Sequence, residues 1–155
     1  MKFMDATRRD LILVNMESDT REGVLAECAE AFQRAGVLQY GDNFPRFIIK
    51  REELGSTAIG GGVAVPHTKW PEVDRLYLVV GTTSQEIDWN ALDGEPVQII
   101  FLILSPPDRP GDHLRMLEAI SRVFRDDTFL RFLRQSQSVD DVCMLLEEAD
   151  DGQFG

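Results

Sequence analysis

Leu76-Tyr77-Leu78-Val79-Val80-Gly81-Thr82-Thr83 and Val97-Gln98-Ile99-Ile100-Phe101-Leu102-Ile103-Leu104 are nearly continuous apolar runs. A strand with one wet face alternates apolar and polar residues, whereas a strand covered on both faces does not need to. These runs have strand length and read as strands buried between two layers. Helices must therefore lie on both sides of the sheet, and the expected fold class is α/β.

The flanking sequence supplies the other elements. Leu11 to Met16 reads as a short strand, followed by Ser18, Asp19 and Thr20, each able to cap a helix. Val24, Leu25, Cys28, Ala29 and Phe32 form an apolar helical stripe that Gly36 closes. A second helix is predicted from Asp42 and Asn43 as caps, Pro45 in the first turn, Phe47 and Ile48 as core positions and Gly55 at the end. Ile59 to Val65 is interrupted by Gly60, Gly61 and Gly62. Pro66 then biases Val65 toward an extended conformation, which places His67 at the end of a short strand.

Ile87-Asp88-Trp89 reads as a short extended piece, and Asp93-Gly94-Glu95-Pro96 as a tight reversal. Ser105 to Gly111 is a loop leading to a helix that starts near Asp112, with Leu114, Leu117, Ile120, Ser121 and Phe124 on one face. Phe129, Leu130, Phe132 and Leu133 mark a further short helix after Asp127. Ser138-x-x-Asp141 is a capping box ahead of Val142, Leu145 and Leu146. Glu147, Glu148, Asp150 and Asp151 read as a solvated helix terminus.

The chain has 155 residues, with 16 Lys and Arg against 27 Asp and Glu, giving a formal net charge of −11. That length suits one domain, expected over residues 1–151 with 152–155 as a C-terminal tail. An acidic chain is repelled by phosphate backbones and anionic membranes, so no nucleic-acid partner and no membrane insertion are expected. Cys28 and Cys143 form no CxxC pair and read as buried free thiols of a reducing compartment. No apolar run is long enough to cross a membrane, and the expected location is cytoplasmic.

The two histidines occupy special places. His67 follows a glycine-rich turn and a proline, and His113 lies in the first turn of a helix after a Pro/Gly loop. Helix starts present unsatisfied N–H groups that attract anions, so the pair is a candidate phosphoryl site. A neutral imidazole is a competent nucleophile toward phosphorus, and positive charge nearby, as from Arg51 or the second histidine, balances the charge that develops. The bland readings stand beside this one: His67 as a hydrogen-bonded structural residue, His113 as a first-turn surface residue, and Arg51 as a complement to a helix dipole.

Other chemistries fit less well. The glycine triplet matches neither GxxxxGK[ST] nor GxGxxG. His67, His113 and Asp112 could ligate a metal, but the histidines lack a recognisable ligand spacing. Neither Ser56 nor Ser105 sits in a GxSxG elbow.

In order, Arg51-Glu52-x-x-Gly55-Ser56-Thr57, Val63-Ala64-Val65-Pro66-His67, Ile87-Asp88-Trp89-x-Ala91-x-Asp93-Gly94-x-Pro96-Val97 and His113-Leu114 resemble the fructose/mannitol class of enzyme IIA of the bacterial phosphoenolpyruvate-dependent phosphotransferase system. The resemblance runs from about Leu11 to Leu146 and is nearest to the freestanding nitrogen-regulatory branch. It implies a three-layer sandwich with a mixed β-sheet. It also implies that His67 is phosphorylated by an HPr-like phosphocarrier protein, with Arg51 and His113 in support and the Thr57 hydroxyl hydrogen-bonding nearby. The phosphoryl group would pass to a separate IIB component, or act as a switch on a regulatory target. No metal, nucleotide or other cofactor is implied.

Thr68 stands where many members have glycine, and Trp70 follows, so an effect on access and partner choice is expected there. The stretches Asn43–Arg75 and Ser105–Arg125 together hold nine basic and seven acidic residues, so the acidity belongs to the remainder. Such a scaffold suits a basic carrier protein.

Overall fold

A computed structural model describes residues 1–155. In chain order the elements are α1 (Phe3–Ala6), a single 3-10 turn (Arg9–Leu11), β1 (Ile12–Met16), α2 (Arg21–Arg34), α3 (Phe44–Leu54), β2 (Ala58–Gly60), β3 (Val63–Ala64) and β4 (His67–Lys69). They continue with β5 (Tyr77–Ile87), β6 (Val97–Ser105), α4 (Pro110–Phe124), α5 (Asp127–Gln135) and α6 (Val139–Asp150).

The sheet runs β1-β5-β6-β3-β2, with β4 continuing beside β6. β1 is parallel to β5, β5 antiparallel to β6, β3 and β4 parallel to β6, and β2 antiparallel to β3, so the sheet is mixed. The two quoted runs are its centre, paired from Tyr77 opposite Leu104 to Thr82 opposite Ile99. Their continuous apolar character has a direct cause. Leu78, Val80, Ile99, Phe101 and Ile103 enter one core with α1, α4, α5 and α6, whereas Val79, Ile100, Leu102 and Leu104 enter another with α2 and α3. β5 runs beyond Thr83 to Ile87, so the short extended piece expected at Ile87 is the end of this strand.

Local chemistry explains the helix ends. Thr20 Oγ1 accepts from Gly23 N at 3.0 Å and caps α2, and Gly36 follows it with φ of 77°. Ser138 Oγ accepts from Asp141 N at 3.1 Å, while the Asp141 carboxylate takes Gln137 N, one residue before the cap. Both cysteines are buried and free.

Several expectations shift. Phe47 is 42% exposed, and Phe44 fills the core position assigned to it. The buried face of α4 is His113, Met116, Ala119, Ile120 and Val123, with Leu114 60% exposed. That helix also begins at Pro110 rather than near Asp112. Phe132 points outward from α5. The first ten residues contribute α1, whose Phe3 stacks on Phe101, ring centroids 6.1 Å apart. Asp150 is not merely solvated: its carboxylate accepts from the backbone N–H groups of Phe3 and Met4, at 2.6 and 3.0 Å. α6 thereby caps the start of α1.

Candidate functional site

The site forms where β3 breaks into β4. Gly60, Gly61 and Gly62 have φ of 97°, 63° and 82°, a left-handed run that only glycine adopts readily, and it reverses the chain from β2 into β3. A Cβ on Gly62 would also lie 3.3 Å from the Pro96 carbonyl oxygen. After Ala64 the ladder pauses: Val65 N bonds Thr57 O at 2.9 Å, and Pro66 O takes Ile103 N at 2.9 Å. His67 then resumes pairing opposite Ile103, so it begins β4 rather than ending a strand.

The Val65 carbonyl, at this break, lies 2.7 Å from His67 Nδ1. A carbonyl oxygen only accepts, so Nδ1 carries the proton and donates. Nε2 is left with an unshared pair, and the half-buried ring presents it as a nucleophile.

His113 comes from the first turn of α4 and is 9% exposed. Its ring centroid lies 5.6 Å from that of His67, the planes inclined at 65°. Nδ1 of His113 is 2.6 Å from Ser105 Oγ, at the end of β6. Burial first, then the neighbouring His67 and Lys69, hold its pKa below the ordinary histidine value. This imidazole is therefore neutral near pH 7, and it is no surface residue.

Arg51 projects from the last turn of α3, where Nη1 donates to the Gly55 carbonyl at 3.1 Å. That bond is helix-end complementation, yet the same side chain lines a cavity of about 220 Å³ with His67, Thr57, Ser56, Ile59 and Ile120. Thr57 is buried, and its hydroxyl donates to Glu52. Three of the four expected residues thus line one cavity, and His113 flanks it through the contact of the two rings.

Glu52 was quoted within a motif but assigned no role from the sequence alone. It is 2% exposed and accepts from Thr57 N at 2.6 Å, from Thr57 Oγ1 and from Trp89 Nε1 at 2.7 Å. The carboxylate ties the end of α3 to the start of β2 and to the loop after β5, and so fixes the backbone that carries Arg51. One signal was available. An acidic residue in a last helical turn opposes the dipole and has to find donors elsewhere.

Trp70 is not among the residues that line this cavity. It packs edge-on against Phe44, with centroids 5.2 Å apart, and on Phe47 at 5.4 Å, joining β4 to α3. Thr68 is half-buried in β4 opposite Leu104. No group of three or more His, Cys, Asp or Glu is placed to hold a metal ion. No helix is long and apolar enough to cross a membrane.

The mixed sheet between two helical layers is a fold shared with solved phosphotransferase-system IIA proteins. The family model described as phosphoenolpyruvate-dependent sugar phosphotransferase system, EIIA 2, matches residues 6–149, and the chain belongs to that family of phosphocarriers. It is 31% identical over 147 residues to a nitrogen regulatory protein of Bradyrhizobium diazoefficiens, covering 94% of this chain and 95% of the relative. The crystal structure of nitrogen regulatory protein IIA-Ntr from Neisseria meningitidis superposes with a TM-score of 0.83 and 27% identity, covering 92% and 97% of the two chains. The fold, with 17% identity, is also that of the Escherichia coli mannitol enzyme IIA solved in complex with phosphorylated mannitol enzyme IIB. There the TM-score is 0.73, over 89% and 94% of the chains.

Proposed function

We propose that His67 is the phosphoacceptor of a IIA protein in which residues 1–151 act as one domain in the cytoplasm. The observation that carries this is the Val65 carbonyl on His67 Nδ1, which leaves Nε2 bare beside a second, neutral imidazole. In the forward step the Nε2 pair attacks phosphorus of a phosphohistidine on an HPr-like carrier. The new N–P bond forms as the carrier's N–P bond breaks, and that bond's electron pair returns to the carrier's imidazole. Arg51 and His113 balance the phosphoryl oxygens, and Thr57, through Glu52, fixes the chain from which Arg51 projects.

Incubation with phosphoenolpyruvate, enzyme I and HPr is expected to label the protein with acid-labile phosphate. His67→Ala should abolish the label, and label retained in that variant would refute the assignment. Onward transfer then separates two outlets. A IIB partner, as in the mannitol complex, predicts that phosphorylated protein delivers its label to a fructose- or mannitol-class IIB protein. The 31% identity to a nitrogen regulatory protein favours the second outlet, in which the phosphoryl group is a switch on a target protein. In that case His67 accepts normally, IIB receives nothing, and the target binds wild-type and His67→Ala protein differently once the donor system is added.

A further inference from the structure

The two imidazoles of the site are anchored by different kinds of partner. His67 Nδ1 meets a backbone carbonyl, which can only accept. His113 Nδ1 meets the hydroxyl of Ser105, which can donate or accept. Ser105 is fully buried at the last position of β6. Its backbone is fixed there, because its carbonyl accepts from Trp70 N at 2.8 Å and it stands opposite Lys69 in the β4–β6 ladder.

His113 Nδ1 is the only hydrogen-bond partner of that hydroxyl. Two proton arrangements are open to the pair. If Nδ1–H donated to Oγ, the hydroxyl proton would be left without an acceptor in a place water does not reach, and its full desolvation cost would go unrecovered. If the hydroxyl donates to Nδ1, both groups are satisfied. The second arrangement wins on that difference, and it places the ring proton on Nε2.

We propose that Ser105 is a positioning residue: its hydroxyl donates to His113 Nδ1 and holds that imidazole in the Nε2–H tautomer, so that it serves as a hydrogen-bond donor beside the group His67 carries. The site then holds its histidines in opposite tautomers. His67 presents a lone pair at Nε2 for the phosphoryl group, and His113 presents an N–H for an oxygen of that group. A carbonyl or carboxylate in place of Ser105 would reverse the second ring and set a lone pair against the phosphoryl oxygens. The role of the donor in catalysis rests on His67 as the phosphoacceptor, whereas the tautomer itself does not.

The test reads both levels. Long-range proton–nitrogen correlation spectra of uniformly nitrogen-15-labelled, unphosphorylated protein at pH 8 should show His113 with a protonated Nε2 and a bare Nδ1, and His67 with the reverse. Ser105→Ala should move His113 toward a mixture of tautomers while leaving His67 unchanged, and should slow phosphoryl acceptance from HPr about tenfold. Ser105→Thr, which restores a hydroxyl, should recover the single tautomer and most of the rate. A wild-type spectrum with the His113 proton on Nδ1 overturns the proposal without any variant, so it stays refutable if Ser105→Ala does not fold. An unchanged tautomer or an unchanged rate in folded Ser105→Ala overturns it equally. If wild-type protein accepts no phosphate at all, the phosphoacceptor reading fails, while the spectrum still decides the tautomer.

Discussion

At the scale of single residues, the site depends on which polar atoms are left with partners once the chain is folded. The Glu52 carboxylate shows this: Oε2 takes Thr57 N, and Oε1 takes both Thr57 Oγ1 and Trp89 Nε1. A glutamine offers one acceptor, and its amide nitrogen would face a donor. Glu52→Gln is therefore expected to cost about 1–3 kcal/mol, measured by urea unfolding, and to slow phosphoryl acceptance through the displaced Arg51. A variant as stable as wild type would mean that the knot contributes little. His113 makes a second prediction, in pH. Its folded pKa lies below its unfolded one, so the unfolded chain takes up the proton first as pH falls. His113 adds no penalty above about pH 6.5, and the penalty grows below that value until the folded ring is protonated as well. Wild type should lose more stability than His113→Gln between pH 8 and pH 5 by urea midpoint. His67 and Arg51 were singled out because each stands in a motif that can be read locally, and the structure brings both to one cavity. The roles of Glu52 and Ser105 were not readable in that way, since the partners Trp89 and His113 lie 37 and 8 residues away and are brought in by the fold.

At the scale of elements, type was more legible than phase. Caps, prolines and glycines located the helices because their effects are confined to a few residues. The core-facing side of α4 was misread because its sequence carries two overlapping apolar stripes, one on Leu114 and Leu117 and one on Met116, Ala119 and Val123. The second stripe is the one that packs on the sheet, and the hydrogen bond between Ser105 and His113 lies on the same side of the helix. Alanine substitutions report that choice: Met116→Ala is expected to destabilise by about 2–5 kcal/mol, and Leu114→Ala by no more than about 0.5 kcal/mol. Equal effects would show that the helix is free to rotate. The same logic separates Phe44, which packs edge-on against Phe32, from Phe47, which is exposed on its outer side.

At the scale of the whole molecule, two cores share one sheet. Neither is a domain, because along Leu78–Val80 of β5 and Ile99–Leu104 of β6 successive residues enter the two cores in turn. Strand length and apolar continuity made this legible in advance. The strand order did not follow from them, since it depends on β4 and β3 sharing the same side of β6. A shared sheet couples the layers energetically: a helix layer cannot leave without exposing half of both central strands to water, and that burial is the main favourable contribution to the fold. Val80→Ala and Leu102→Ala make cavities on opposite faces, and each should lower the melting temperature of one common transition. Calorimetry of both variants is expected to show a single peak whose calorimetric and van't Hoff enthalpies agree. A second peak, moved by one substitution and not by the other, would mean that the layers unfold separately. The sheet would then not transmit strain between α3, which carries Arg51, and α4, which carries His113, and the two would reach His67 as independent parts.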